Sequence, residues 1–119
     1  INWEGNITIP KILTFKELID DINLSHIDFL KVDCEGGEYD IFSFENLNFL
    51  KNNVKKIVVE FHLSNSILKG YFQNFINNIL PNFNNFRVES VDNIDIKWDL
   101  YNEHFIQYYN EVLFYFDNR

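Results

Sequence analysis

The chain has 119 residues, which is enough for one small domain with a single hydrophobic core. Hydrophobic residues make up 46% of the sequence and aromatic residues 18%, so an intrinsically disordered chain is excluded. The net charge of -8 argues against nucleic acid or an anionic membrane as a partner, because both attract surfaces rich in Lys and Arg.

Cys34 is the only cysteine, so no internal disulfide can form and a cytoplasmic location is expected. Cys34 itself is predicted to be a small buried apolar side chain and not a nucleophile. No run of residues approaches the ~20 apolar positions that are needed to cross a bilayer, so a membrane-spanning protein is not expected.

The first elements can be predicted in chain order. Residues 1–13 are predicted to be an irregular arm or a leftover edge segment. A helix follows, because Thr14 and Glu17 have the spacing of a capping box and apolar residues then recur at helical spacing until near Asn23. Residues 27–32 form a compact apolar run, which is typical of a buried parallel strand.

A glycine turn and a second helix–strand unit come next. Residues 38–50 are predicted to be one helix, and the β-branched run 56–62 is predicted to be a strand. Ser66 is expected to cap a third helix, which Pro81 closes.

Two strands are predicted near the C-terminus, over residues 85–91 and 111–116, and the state of the connection over residues 94–109 is left open. Alternation of helices and strands favours an α/β fold built on a mostly parallel sheet, with helices on both faces. The last two strands lack a crossover helix between them, so an antiparallel pair is expected there. Residues 1–119 are therefore predicted to form one domain.

Polar side chains follow two of the predicted strands at the point where each strand ends. The first strand leads into Asp33, Glu35 and Glu38, and the second ends with Glu60 and His62. Ligands bind beyond the carboxyl ends of strands in open parallel sheets, so these side chains are candidate site residues. They could bind a divalent metal through oxygen atoms, act as general acid and base, or hydrogen-bond the hydroxyls of a substrate.

A purely structural interpretation of the same residues stays open. Glu35 and Glu38 could stabilise the positive N-terminus of the next helix, and His62 could be an ordinary residue at the end of a strand. His26, His62 and His104 are too scattered in the sequence for a zinc site, and no metal site is predicted.

Residues 14–19, 27–38 and 57–62 together resemble FkbM-type methyltransferases, which depend on S-adenosylmethionine. The second of these runs reads Ile-Asp-Phe-Leu-Lys-Val-Asp-Cys-Glu-Gly-Gly-Glu. The residues that stand where the family pattern expects them are Lys31, Asp33, Glu35, Gly36 and Glu38. Lys16 and Gly37 depart from that pattern, where an acidic residue and Ala are usual.

The resemblance implies that the chain is the C-terminal half of a Rossmann-like, class I methyltransferase fold. The strands at 27–33 and 56–62 would be the fourth and fifth of that fold, and the last two strands would be the sixth and seventh. The half that holds the cofactor is not found in this sequence, so the chain alone is expected not to bind S-adenosylmethionine. The exposed edge of strand 27–33 is expected to pair with a second copy or to be covered by residues 1–13.

The resemblance also implies a function, which is methyl transfer to a hydroxyl group of a small molecule or sugar. Asp33 would lie nearest the methyl group and the cofactor, and Asp33 or His62 would be the catalytic base. Glu35, Glu38 and Glu60 would bind the substrate on the acceptor side. A non-catalytic α/β module for binding or assembly is the main alternative, and an unrelated metal-dependent hydrolase is a third hypothesis.

Overall fold

A computed structural model describes residues 14–106 and 108–119 of the chain. The predicted arm at residues 1–13 lies outside the described residues. The described elements, in chain order, are α1 (Phe15–Asp21), β1 (Ile27–Val32), α2 (Glu38–Ile41), α3 (Phe44–Asn52), β2 (Val54–His62), α4 (Ser66–Asn74), β3 (Phe86–Ser90), α5 (Glu103–Ile106) and β4 (Glu111–Asp117). None of the described helices is long and apolar enough to cross a membrane.

The four described strands form one open sheet in the order β1-β2-β4-β3. The β1–β2 pair is parallel, whereas β4 pairs antiparallel with both β2 and β3. The α/β class and the antiparallel C-terminal pair are confirmed, but the prediction of a mostly parallel sheet is wrong. The physical reason is that β4 turns back from β3 and inserts between β3 and β2, so it makes two of the three pairings antiparallel.

The described helices cover one face of this sheet. Ile57, Val59 and Phe61 point to that face and are fully buried, and Phe61 packs against Phe75 with ring centroids 4.3 Å apart. The opposite face, here called the open face, includes Glu60 and His62, which are only half-buried. The prediction of helices on both faces is thus wrong for the described residues. Right-handed crossovers from β1 to β2 and from β2 to β3 step in the same direction, so their helices fall on the same side.

The predicted helix over residues 38–50 is broken into α2 and α3. Phe42 leaves the helical region with ψ 64°, and Ser43 is extended at the start of α3. The break turns Phe42 into the core, where it lies 5.4 Å from the ring of Phe61 and is 2% exposed. The buried side chain of Asn46 donates a hydrogen bond to the carbonyl of Ile41 at 3.0 Å, so it caps the end of α2.

The helix α1 confirms the predicted capping box. The Thr14 hydroxyl accepts from the backbone N–H of Glu17, and the Glu17 carboxylate accepts from the backbone N–H of Thr14, both at 3.1 Å. The helix ends at Asp21, slightly before the predicted end, because Asn23 adopts a left-handed conformation with φ 55°.

The prediction that Ser66 caps the third helix is wrong. Asn65 is the N-cap of α4, since it is extended and its side chain accepts from the backbone N–H of Leu68 at 2.9 Å. A π-helical turn at Phe75–Ile79 and a 3-10 turn at Leu80–Asn82 prolong α4 to the predicted proline. The ends of β3 and β4 lie within about one residue of the predicted ends.

Candidate functional site

The carboxyl ends of β1 and β2 lie side by side and bring together three of the predicted site residues. Val32 pairs with Val59, so Asp33, the next residue after β1, lies beside Glu60. Side chains alternate along a strand, so Glu60 and His62 both point to the open face. One ligand atom from each of Asp33, Glu60 and His62 lies within 4.8 Å of the others. These three residues are called the strand-end cluster below.

The imidazole of His62 lies between two carboxylates. Its Nδ1 is 3.1 Å from Oε1 of Glu38, and its Nε2 is 3.7 Å from Oδ1 of Asp33. Because ionised Glu38 can only accept hydrogen bonds, the proton of the neutral ring is assigned to Nδ1. The lone pair of Nε2 is then left facing Asp33 and the open face.

Glu38 is the anchor of this arrangement and is completely buried. Its Oε1 also accepts the backbone N–H of His62 at 2.6 Å, and its Oε2 accepts the backbone N–H of Gly36 at 2.9 Å. A buried carboxylate without partners would be strongly disfavoured, and these hydrogen bonds supply the partners. Glu38 therefore acts on the site through His62 and ties the end of β2 to the turn after β1.

The turn after β1 decides which acidic residues enter the site. Glu35 and Gly36 both have positive φ, at 47° and 109°, and this reverses the chain immediately after Asp33. The reversal carries Glu38 inward and leaves Glu35 exposed, outside the strand-end cluster. The chain therefore does not stay extended past β1, and of the two acidic residues only Asp33 joins the cluster.

The charge on His62 depends on its neighbours. Burial lowers the pKa of His62, but the hydrogen bond and negative charge of Glu38, with the charges of Glu60 and Glu111, outweigh this effect, so the pKa is raised overall. A raised pKa makes the ring a stronger proton acceptor near neutral pH.

Glu111 is a neighbour of the site that sequence reasoning did not find. It is the first residue of β4 and pairs in register with His62. Its hydrogen bond to the side chain of Glu60, together with burial and the charge of Asp33, raises the pKa of Glu60 to about 7. Glu60 is therefore only partly ionised around neutral pH. Only the position of β4 beside β2 reveals this contact, and the sequence alone carries no signal for it.

Tyr39 is a second residue near the site that the sequence analysis did not predict. Its hydroxyl donates a hydrogen bond to the carbonyl of His62 at 2.7 Å, and its ring centroid lies 5.3 Å from that of Phe61. Burial and the charge of Glu38 raise the pKa of Tyr39, so the phenol stays protonated and remains a donor. Tyr39 thus fixes the backbone at the end of β2.

Cys34 is exposed, so the prediction that it is a buried apolar side chain is wrong. It precedes the chain reversal at Glu35, and this holds it at the surface. Partial burial raises the pKa of Cys34 above 9.0, and the charges of Glu38 and Asp33 raise it further, against a backbone hydrogen bond that lowers it. The thiol is therefore protonated at neutral pH.

The site is strongly acidic. Asp33, Glu38, Glu60 and Glu111 all lie around His62. Within the part of the chain that the structure describes, no Lys or Arg forms an ion pair with any of these four carboxylates. His62 is thus the basic side chain that the described residues place among these carboxylates.

The sequence matches the model of a known protein family. The sequence model of that family, described as the Methyltransferase FkbM domain, matches residues 3–88, well over half of the chain. The matched range contains β1, β2, Glu38 and the whole strand-end cluster, and it stops before β4. Neither the curated proteins nor the solved structures give a match.

Proposed function

The chain belongs to the FkbM methyltransferase family, and on this premise we propose that it acts in methyl transfer from S-adenosylmethionine to a hydroxyl group of a small molecule or sugar. The observation that carries the proposal is the His62 imidazole, held by buried Glu38 and facing Asp33 at the carboxyl ends of two parallel strands. This is where ligands of open α/β sheets bind, and the arrangement suits removal of a hydroxyl proton.

The mechanism follows from the order of the three groups. An acceptor hydroxyl that is bound beside Nε2 of His62 can pass its proton to the lone pair of that nitrogen. Glu38 holds the Nδ1 proton, so it fixes the tautomer and stabilises the imidazolium that forms. Asp33, whose carboxylate lies 3.7 Å from Nε2, can orient the hydroxyl or accept a hydrogen bond from the protonated ring.

The acidic groups on β2 and β4 suit further contacts with the acceptor. Glu60, with its pKa of about 7, can donate or accept a hydrogen bond near neutral pH. Sugars and polyols offer several hydroxyls, and hydrogen bonds to Glu60 and Glu111 would select among them. The predicted contribution of Glu35 stays a prediction, since its side chain is exposed beyond the turn.

Among the described residues, Asp33 suits the end of S-adenosylmethionine that carries the methyl group. That cofactor, when bound, supplies a methyl group on a positively charged sulfur, and the half-exposed carboxylate of Asp33 suits a cation of this kind. The described glycines are Gly36, Gly37 and Gly70, and they do not form a Gly-x-Gly turn that could hold the remainder of the cofactor. Contacts with the adenosine part must therefore come from outside the described residues.

We infer that the chain is the acceptor-binding half of a larger methyltransferase fold. Two observations support this inference within the described residues. β1 is at the edge of the sheet with β2 as its one neighbour, and the open face carries no helix. A module that binds a partner through these surfaces without catalysis is the alternative, and it predicts no methyl transfer.

The test is methyl transfer by the natural protein that contains this chain, using S-adenosylmethionine labelled in the methyl group and a panel of sugars and other hydroxylated molecules. His62→Gln is expected to lower kcat/KM by about 10²–10⁴-fold because the proton acceptor is lost. Asp28→Asn is the control, since Asp28 is an exposed carboxylate on β1 that lies outside the site and pairs with Lys55. No transfer to any acceptor, or equal rates for wild type and His62→Gln, would contradict the proposal.

A second test measures whether the chain alone binds the cofactor. Calorimetry with S-adenosylmethionine and the 119-residue chain is expected to give no binding. Tight binding would contradict the inference that the contacts with the adenosine part lie elsewhere.

A further inference from the structure

We propose that Asp33, Glu60 and His62 form a binding site for a divalent cation. The proposal rests on the proposed function, because the cation would lie where the acceptor hydroxyl is expected. The three ligand atoms lie within 4.8 Å of one another, and Nε2 of His62 is 3.7 Å from Oδ1 of Asp33. Metal–ligand bonds are about 2.0–2.6 Å long, so two ligands of one ion can lie up to about 5 Å apart. One ion can thus contact all three groups.

The orientation of His62 supports a ligand role. Histidines that bind metals usually donate their other ring N–H to a carboxylate, which fixes the tautomer and orients the ring. Glu38 plays this part, since its Oε1 lies 3.1 Å from Nδ1 and its side chain is completely buried. Nε2 is therefore held in place with its lone pair directed to Asp33, which is 46% exposed and open to an incoming ion.

The charges around the strand-end cluster are not balanced by basic side chains. Lys or Arg forms no ion pair with Asp33, Glu60 or Glu111 among the residues that the structure describes. Glu111, which pairs in register with His62, adds a further carboxylate at this edge of the sheet. A bound divalent cation would neutralise this excess negative charge.

The ligand set favours a particular class of ion. Two carboxylates and one imidazole, with further positions open to solvent, suit Mn²⁺ or a similar ion that accepts both oxygen and nitrogen ligands. An acceptor hydroxyl that binds at an open position of the cation loses its proton more readily, and the proton leaves to solvent. His62 is then a ligand, whereas in the absence of the cation it remains the base. This inference departs from the prediction that the chain has no metal site.

The test is titration of the 119-residue chain with Mn²⁺, followed by calorimetry and by the electron paramagnetic resonance signal of the free ion. One ion is expected to bind per chain, and Asp33→Asn and His62→Gln should each weaken binding by about tenfold or more. Asp28→Asn removes the same charge as Asp33→Asn from an exposed position on β1, outside the cluster, and should bind like wild type. Circular dichroism checks folding, and Asp33→Asn keeps the test decisive if His62→Gln unfolds, because Asp33 is half exposed.

Two results would overturn the cation site. One is the absence of saturable Mn²⁺ binding by the folded wild-type chain, and the other is an equal loss of binding in Asp28→Asn and Asp33→Asn. The assay of the natural protein separates this inference from the proposed function. Mn²⁺ binding at these residues without methyl transfer supports the cation site and contradicts the proposed function. Methyl transfer without Mn²⁺ binding supports the proposed function and contradicts the cation site.

Discussion

The carboxylate of Glu38 contacts His62 twice, although the two residues are 24 positions apart in the chain. One oxygen accepts both the backbone N–H of His62, at 2.6 Å, and Nδ1 of its ring, at 3.1 Å. The first contact fixes the end of β2 and the second fixes the imidazole. One buried carboxylate therefore links the stability of the fold to the geometry of the site.

Glu38→Gln should destabilise the chain. A glutamine fills the same space, but its NH₂ group cannot accept a hydrogen bond, so at least one backbone N–H that now binds Glu38 would lose its partner. We expect the free energy of unfolding to fall by about 1–3 kcal/mol. Urea denaturation measures the change. Glu35→Gln is the matched control, since Glu35 belongs to the same turn and is exposed, and an equal loss in both variants would contradict this account.

Glu60 should make the stability of the chain depend on pH. Its pKa is about 7 in the folded chain, against an ordinary value of 4.5. A group whose pKa is raised on folding contributes stability below its ordinary pKa, and this contribution is lost as the pH rises through the folded value. Glu60→Gln stays neutral at every pH, so the variant should gain stability relative to wild type between about pH 5 and pH 8.

Thermal denaturation with a chelator present measures this difference. Glu45→Gln, at an exposed position of α3, is the control and should follow the wild-type pH profile. A Glu60→Gln profile that runs parallel to wild type over the whole range would show that the pKa of Glu60 is not raised in the folded chain.

The outer edge of β1 should make the chain self-associate. β1 pairs only with β2 in the described sheet, and Phe29 on this strand is 58% exposed. Unpaired backbone groups beside an exposed aromatic ring favour pairing with a second copy. Phe29→Asp should shift sedimentation from dimer to monomer, whereas Phe44→Asp, at a phenylalanine of α3 that is 68% exposed, should not. A wild-type chain that is monomeric at all concentrations would exclude this role for the edge.

Part of the fold and site could be predicted because it depends on local patterns. The alternation of apolar and polar residues in β2 predicts a strand with Glu60 and His62 on one side. The parallel pairing of β1 with β2 then places Asp33 next to them. These positions follow from strand geometry alone.

The remainder depends on packing between distant segments. The inward position of Glu38 follows from the left-handed conformation of Glu35. A non-glycine residue rarely adopts this conformation, and no pattern in the sequence predicts it here. Glu111 reaches Glu60 only because β4 inserts beside β2. Phe42 breaks a helix of suitable sequence because burial of its ring in the aromatic core outweighs helix propensity.

The most direct test of the central claim is to identify the atom of the acceptor that receives the methyl group. The natural protein is incubated with S-adenosylmethionine carrying an isotopically labelled methyl group, and the product is examined by nuclear magnetic resonance. A labelled methyl group on oxygen is expected, formed by the wild type and reduced by about 10²–10⁴-fold in His62→Gln. A label on nitrogen or carbon, or the same yield from His62→Gln, would contradict it.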